Sequence, residues 1–168
     1  MVTGNNSQTA VARAAEEDVD AYLLKPYTSA ILRQQIMKTA LTKISPSEYS
    51  SKLNEGKEFM KGGELDKAIA SFNQAVKLDQ SPALAFYYIG YVNQVKKVLD
   101  AAESNFGQGL VLNKIHYKCM VGLFDLLQDQ KRYGDAYEVA KKISQYFPAN
   151  PQRLTQVLKL AVFTKNYE

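Results

Sequence analysis

A repeat with a period of 34 residues dominates the second part of the chain. Three alanines occur at this spacing in similar contexts: Ala68, Ala102 and Ala136. Two more columns keep the same register: Gly56, Gly90 and Phe124, and Phe72, Phe106 and Ala140. A period of this length indicates stacked supersecondary units, because each unit buries its apolar face only against its neighbours.

Each period divides into two helices. In the first unit, apolar residues at spacings of three and four predict helices over 48–61 and 65–78, separated by Gly62-Gly63. Helix starts are indicated by a capping side chain before a proline, at Ser45-Pro46, Ser81-Pro82 and Asn150-Pro151. Glu48, three residues after Ser45, adds a capping-box signal. The pattern predicts a mainly α array of helical hairpins.

These residues resemble tetratricopeptide (TPR) repeats over 45–168, with units at 49–82, 83–116 and 117–150 and a partial unit at 151–168. The resemblance implies an α-solenoid of about three and a half repeats whose concave groove binds a protein or peptide partner. Unit three departs from the pattern, with bulky Phe124 in a small-residue column and small Ala140 in an aromatic column. Asn93 also replaces an aromatic residue in unit two.

The first helix of each unit would line the groove. Residues at spacings of three and four, away from the packing columns, give these candidates: Lys57, Tyr87, Tyr91, Gln94, Asp125 and Gln128. Tyr87 and Tyr91 lie one turn apart and are candidate binding hot spots. The alternative is that both tyrosines only pack within the solenoid. The lysine and asparagine set with which some family members hold a terminal carboxylate is not reproduced, which argues against binding of chaperone tails.

His116 and Cys119 lie three residues apart and could share one face of a helix. Two ligands do not complete a zinc site, and the chain has no other His or Cys. A Cys/His nucleophile also lacks a third, orienting group. We therefore expect no metal, no cofactor and no enzymatic activity.

Residues 1–44 do not follow the repeat. Residues 1–4 are typical of a strand end, 7–17 of a short helix, 21–24 of a buried strand, and the stretch after Pro26 of a longer helix capped by Thr28. Strand, helix, strand and helix in this order are typical of an open parallel sheet.

This segment resembles the C-terminal part of a response-regulator receiver domain, a β-α-β-α remnant of a flavodoxin-like fold. The resemblance rests on Thr3-Gly4, Tyr22 and Lys25-Pro26-Tyr27. It implies that Thr3 and Lys25 contact a phosphoryl group, that Tyr22 changes rotamer on phosphorylation, and that the bond before Pro26 is cis. The phosphoacceptor aspartate and the acidic pair that binds a divalent metal such as Mg²⁺ would lie on earlier strands, which this sequence lacks.

The absent strands predict an exposed apolar face at Val2, Leu23, Leu24, Leu32 and Ile36. Such a face favours homodimerisation, domain exchange or packing onto the repeats. Because the chain also ends within a repeat, we expect it to be an excerpt of a longer protein.

Composition excludes several classes of protein. The net charge of +4 is spread thinly over 21 basic and 17 acidic residues, so no basic tract indicates nucleic-acid binding. One cysteine excludes an internal disulfide, and no secretory signal or membrane-spanning segment is found. The cytoplasm is the expected compartment.

Two functional hypotheses follow from these observations. In the first, the parent protein belongs to a bacterial-type two-component system, and a phosphorylatable receiver regulates a TPR scaffold whose partner could be a sensor histidine kinase. In the alternative, the repeats are a constitutive assembly or adaptor module, and residues 1–44 serve only as a structural or dimerisation element.

Overall fold

The computed structural model describes residues 2–3, 23–24, 26–147 and 151–165. Two short strands, β1 (Val2–Thr3) and β2 (Leu23–Leu24), pair in parallel with Val2 opposite Leu23 and Thr3 opposite Leu24. Eight helices follow in the described part of the chain: α1 (Ser29–Ile44), α2 (Glu48–Lys61), α3 (Leu65–Val76), α4 (Ala83–Val95), α5 (Leu99–Leu112), α6 (Tyr117–Asp129), α7 (Tyr133–Tyr146) and α8 (Pro151–Thr164). The helix predicted over 7–17 lies outside the described residues.

The helices from α2 onward form consecutive antiparallel pairs. Helix α2 packs on α3, α4 on α5 and α6 on α7, and each pair also contacts the next one along the chain. The first helices α4 and α6 of neighbouring units lie side by side. The predicted mainly helical solenoid is therefore confirmed, whereas a receiver remnant is not shown: the described strands contain only two residues each.

Glycine and phenylalanine columns bring the two helices of a unit together. A Cβ atom added to Gly56 would lie 2.4 Å from the Phe72 ring, and one added to Gly90 would lie 2.7 Å from the Phe106 ring. Phe72 and Phe106 are fully buried. Only glycine permits this approach, so the glycine at one repeat position and the phenylalanine ring at the other depend on each other.

Unit three reverses the sizes of this pair. Phe124, in the glycine column, and Ala140, in the phenylalanine column, are both buried in one core cluster with Met120 and Ile143. The ring therefore comes from the first helix instead of the second, and the space stays filled because the exchange roughly conserves volume. The two departures seen in the sequence compensate each other.

Each first helix of a unit, α2, α4, α6 and α8, is followed by a left-handed residue at the repeat period. The φ angles are +77° at Gly63, +63° at Lys97, +60° at Lys131 and +59° at Lys165. In the second turn, the Val98 N–H donates to the Asn93 carbonyl and the Lys97 N–H donates to the Gln94 carbonyl. This is the Schellman pattern that satisfies the last carbonyls of a helix.

The predicted caps at Ser45 and Ser81 are wrong. Helix α2 is capped by Ser47, whose Oγ accepts from the Ser50 N–H at 3.2 Å. The Ser45 N–H instead donates to the Leu41 carbonyl and completes the last turn of α1. The N-cap of α4 is Pro82, because Ser81 is held in a local turn by a 2.7 Å bond from its N–H to Asp79 Oδ1.

Helix α1 begins where the sequence predicts. Thr28 is its N-cap, and the Thr28 hydroxyl oxygen accepts from the Ile31 N–H at 3.2 Å. Several large apolar side chains of this helix remain exposed: Ile31, Ile36, Met37, Leu41 and Ile44. Leu32, which the sequence places on the same predicted apolar face, is half-buried.

Candidate functional site

A cleft of about 310 Å³ lies between α4 and α6, the first helices of units two and three. Four of the six predicted groove residues line it: Tyr87, Tyr91, Gln94 and Asp125. The remaining lining residues are Val95, Lys97, Val121, Gly122 and Asp129. The helical spacing thus identified most of the α4 wall and part of the α6 wall.

The two tyrosines form the aromatic wall of the cleft. Their ring centroids are 6.3 Å apart, and the planes are tilted by 33°. Tyr91 is 41% exposed, whereas Tyr87 is half-buried and also contacts the rings of Tyr88 and Phe106. Tyr87 thus anchors the wall to the core and Tyr91 presents a face to solvent, whereas the hot-spot role of the pair remains a prediction.

Polar groups lie at the lower end of the cleft, towards the C-termini of α4 and α6. Asp125 and Asp129 are both exposed and lie one turn apart on α6. Gln94 Nε2 donates to Asp129 Oδ2 at 3.4 Å and joins the two walls. The sequence prediction named Gln128, three residues after Asp125, although Asp129 at a spacing of four satisfies the same criterion.

Two lysines, Lys118 in the first turn of α6 and Lys57 on α2, lie near the rings of Tyr87 and Tyr88. Lys118 Nζ is 5.6 Å from the Tyr87 ring centroid and 5.9 Å from that of Tyr88, and Lys57 Nζ is 5.2 Å from Tyr88. These distances permit cation–π attraction. Lys57 is therefore near Tyr88, outside the residues that line the cleft, and Gln128 is half-buried and does not line it either. Lys118 was missed, although it lies three residues before Val121 on the same face.

His116 and Cys119 have structural roles. His116 is the N-cap of α6, and its Nδ1 accepts from the Cys119 N–H at 3.3 Å. Burial lowers the pKa of His116, and the positive charge of Lys118 lowers this pKa further. The Cys119 thiol is fully buried 3.5 Å from the Ala83 carbonyl oxygen, and burial raises its pKa to about 12. A neutral, enclosed thiol is a poor nucleophile.

The described residues contain no cluster of three or more His, Cys, Asp or Glu side chains that could hold a metal ion. Within the same residues, no helix is both long enough and apolar enough to cross a bilayer.

The receiver-like candidates fall mostly in segments that the structure does not describe. Tyr22 and Lys25 lie outside the described residues, so the bond that joins Lys25 to Pro26 does too. Thr3 belongs to β1, and Pro26 is exposed before α1. Their predicted phosphate-sensing roles remain predictions.

A larger open space of about 1010 Å³ lies along α1. The described residues that line it come from α1 itself and from Ser45 and Ser47. The described wall is thus one helix and the turn after it, whereas the cleft between α4 and α6 has walls from two repeats. We therefore take the smaller cleft as the candidate binding site.

Comparisons with known proteins agree with this architecture. Residues 56–95 match the family model described as TPR repeat. A search of curated proteins gives no match. Solved structures with a similar fold include the second TPR domain of human RPAP3 in complex with the HSP70 peptide SGPTIEEVD, at 18% identity and a TM-score of 0.59, covering 67% of this chain and 94% of that one.

Two further structures have the same fold. The first TPR of Spaghetti (RPAP3), bound to the HSP90 peptide SRMEEVD, is 15% identical with a TM-score of 0.62 over 71% of this chain and 94% of that one. The pilF protein of Pseudomonas aeruginosa is 19% identical with a TM-score of 0.60 over 95% of this chain and 68% of that one. The chain thus carries TPR-type repeats in a TPR-like helical solenoid.

Proposed function

We propose that this chain is a non-catalytic adaptor that binds an extended peptide segment of a protein partner along the first helices of its repeats. The observation that carries the proposal is the cleft between α4 and α6, where Tyr91 presents an exposed aromatic face beside polar side chains. Peptide complexes of the similarly folded RPAP3 domains support the same use of the fold.

A selection from random dodecapeptides displayed on phage tests this function. Selected peptides are synthesised, and fluorescence anisotropy measures their dissociation constants. We expect Tyr91→Ala to weaken binding by about thirtyfold, because exposed aromatic anchors that become buried on binding are typical hot spots. Tyr146→Ala is the matched control: Tyr146 is 46% exposed on α7, close to the exposure of Tyr91, but does not line the cleft. Failure to select any peptide, or equal effects of the two variants, would contradict the proposal.

Regulation by a receiver is a second, finer proposal about a longer parent protein. The parallel pairing of Val2–Thr3 with Leu23–Leu24 ahead of α1 favours it, since a parallel pair requires a crossover connection. The constitutive adaptor is the simpler proposal, because the TPR-type repeats alone account for it. If a receiver regulates the full-length protein, the phosphoryl mimic beryllofluoride should change hydrogen exchange of the repeat domain or the affinity for a partner. No change in either quantity would rule out phosphorylation control and, with it, a kinase-linked role.

The exposed apolar residues of α1 support a third element of the proposal, in which residues 1–44 mediate association between copies. This element is independent of peptide binding, because none of the α1 residues lines the cleft between α4 and α6.

A further inference from the structure

Charges along the α4–α6 groove are unevenly distributed: lysines lie at one end, whereas two aspartates and a single lysine, Lys97, line the other. Lys118 lies in the first turn of α6 and faces the rings of Tyr87 and Tyr88, whereas Asp129 is the last residue of α6. Along a helix axis this interval corresponds to about 16 Å. Lys57 also points to Tyr88, so a second ammonium reinforces the basic end. A ligand lying along the groove would therefore meet a basic end and an acidic end.

The acidic end coincides with the cleft itself. Asp125 and Asp129 line it together with the exposed Tyr91 ring, and Lys97 is the one cationic side chain among the described residues that line it. Gly122 contributes no side chain to the space between the walls. Gln94, which donates to Asp129, holds that carboxylate against the α4 wall.

An aromatic face beside two carboxylates suits one class of ligand group. A guanidinium or ammonium gains cation–π attraction from the ring and charge-assisted hydrogen bonds from the carboxylates. An acidic side chain in the same place would face two like charges across a partly enclosed space, which disfavours it. The volume of about 310 Å³ accommodates one long side chain and part of its backbone.

We propose that the α4–α6 cleft holds an arginine or lysine side chain of the bound peptide at Tyr91, Asp125 and Asp129. This inference rests on the proposed peptide-binding function and adds the chemistry and direction of the ligand: the basic residue lies at the C-terminal ends of α4 and α6, and any acidic residue lies towards Lys57 and Lys118. It separates this chain from the compared RPAP3 domains, whose bound peptides SGPTIEEVD and SRMEEVD end in Glu-Glu-Val-Asp.

The same phage-displayed dodecapeptides test the inference with the full chain as bait. We expect the selected sequences to be enriched in Arg or Lys at one position. Replacing that residue by citrulline or norleucine, which keep much of its shape without the charge, is expected to weaken binding by about tenfold. The double variant Asp125→Asn/Asp129→Asn should weaken the parent peptide to a similar extent and leave the uncharged peptide nearly unaffected.

Asp100→Asn provides the matched control, because Asp100 is exposed in the first turn of α5 and does not line the cleft. Circular dichroism melting of each variant verifies that the exchanged amides preserve the fold. Peptides that bind without any basic preference, or a basic preference that persists in the double variant, would overturn this inference while the proposed function stands. Acidic peptides that depend on Lys57 and Lys118 would also overturn it. A chain that selects no peptide overturns both.

Discussion

His116 shows how one side chain can mimic part of a functional site and yet serve the fold. Its Nδ1 accepts a hydrogen bond from the Cys119 backbone, a role that only the neutral ring can perform. The pair that resembles a metal or nucleophile motif is thus a helix cap followed by a core thiol. A spacing of three residues fits a metal or nucleophile motif as well as a helix cap, and the burial of the Cys119 thiol decides for the structural role.

The His116 cap makes stability depend on pH. Its folded-state pKa is lowered by burial and by Lys118, so the neutral ring stabilises the fold fully above the ordinary pKa. This contribution is lost as pH falls below about 6.5 and through the lowered folded-state pKa. We expect urea denaturation to show a larger loss of unfolding free energy between about pH 7.5 and 5.5 in the native chain than in His116→Asn, whose amide oxygen caps at both pH values. Equal losses in the two proteins would contradict this role.

Lys131 carries a backbone cost that glycine would remove. Its φ of +60° ends α6, and the Arg132 N–H donates to the Leu127 carbonyl across the turn. We expect Lys131→Gly to raise the unfolding free energy by about 1 kcal/mol, because a side chain is disfavoured in the left-handed region. Gly63→Lys, the reverse change at φ +77°, should lower it by a similar amount, and Lys77→Gly at φ −79° should also lower it. If the urea midpoints of Lys131→Gly and Gly63→Lys shift in the same direction, this explanation is contradicted.

The glycine column sets the distance between packed helices. Gly90 and Gly122 both contact the Phe106 ring, at 2.7 Å and 2.6 Å for added Cβ atoms, so this ring is enclosed from two neighbouring units. Phe106 therefore links the hairpin of α4 and α5 to α6, the helix that forms the other wall of the cleft. Packing inside the repeats and the width of the cleft are consequently coupled.

Adding a methyl group to this column tests whether the close approach of helix and ring constrains the pair. Alanine has the higher helix propensity by about 1 kcal/mol. At Gly90, however, overpacking against a fully buried ring and the Ala102 carbonyl oxygen 3.2 Å away is expected to lower the unfolding free energy by about 1–3 kcal/mol.

Gly107→Ala is the internal control for this prediction, because nothing lies within 4 Å of its added Cβ. The control should be neutral or stabilising by up to about 1 kcal/mol. Thermal melts of the two variants provide the comparison. If Gly90→Ala is as stable as Gly107→Ala, the close approach is not a constraint on the pair.

At the scale of the whole molecule, a repeat array and a helix with exposed apolar residues lie in one chain. In the array, Phe72, Val92 and Phe106 are fully buried, whereas Ile36 of α1 is 60% exposed and Ile44 is 80% exposed. Within the described structure, the repeat array thus has a buried core, whereas α1 leaves large apolar side chains exposed.

Association through α1 should depend on protein concentration. If α1 mediates it, sedimentation velocity of the native chain should show a faster-sedimenting species as concentration rises, and Ile36→Glu/Leu41→Glu should remove this species because each glutamate would be buried without a partner. Val111→Glu on α5, where Val111 is 80% exposed, is the matched control and should leave association intact. A single monomeric species at all concentrations would rule out this role for α1.

The sequence by itself determined the helical repeats, the approximate helix bounds and the aromatic wall of the cleft. These depend on apolar periodicity and on residues within one or two turns, so a linear reading captures them. Tyr87, Tyr91, Gln94 and Asp125 were found in this way because they lie on one face of their own helix.

Only the tertiary structure decided which helix ends are capped, where the backbone turns left-handed, and which charges share the cleft. Ser47 caps α2 instead of Ser45 because Ser45 completes α1, and Lys118 lies over the Tyr87 ring of the preceding unit. The Lys118 contact joins residues about one repeat apart, and the packing between units sets it. Spacing along the chain specifies the faces of each helix; the stacking of units determines which faces meet, and therefore what the groove can bind.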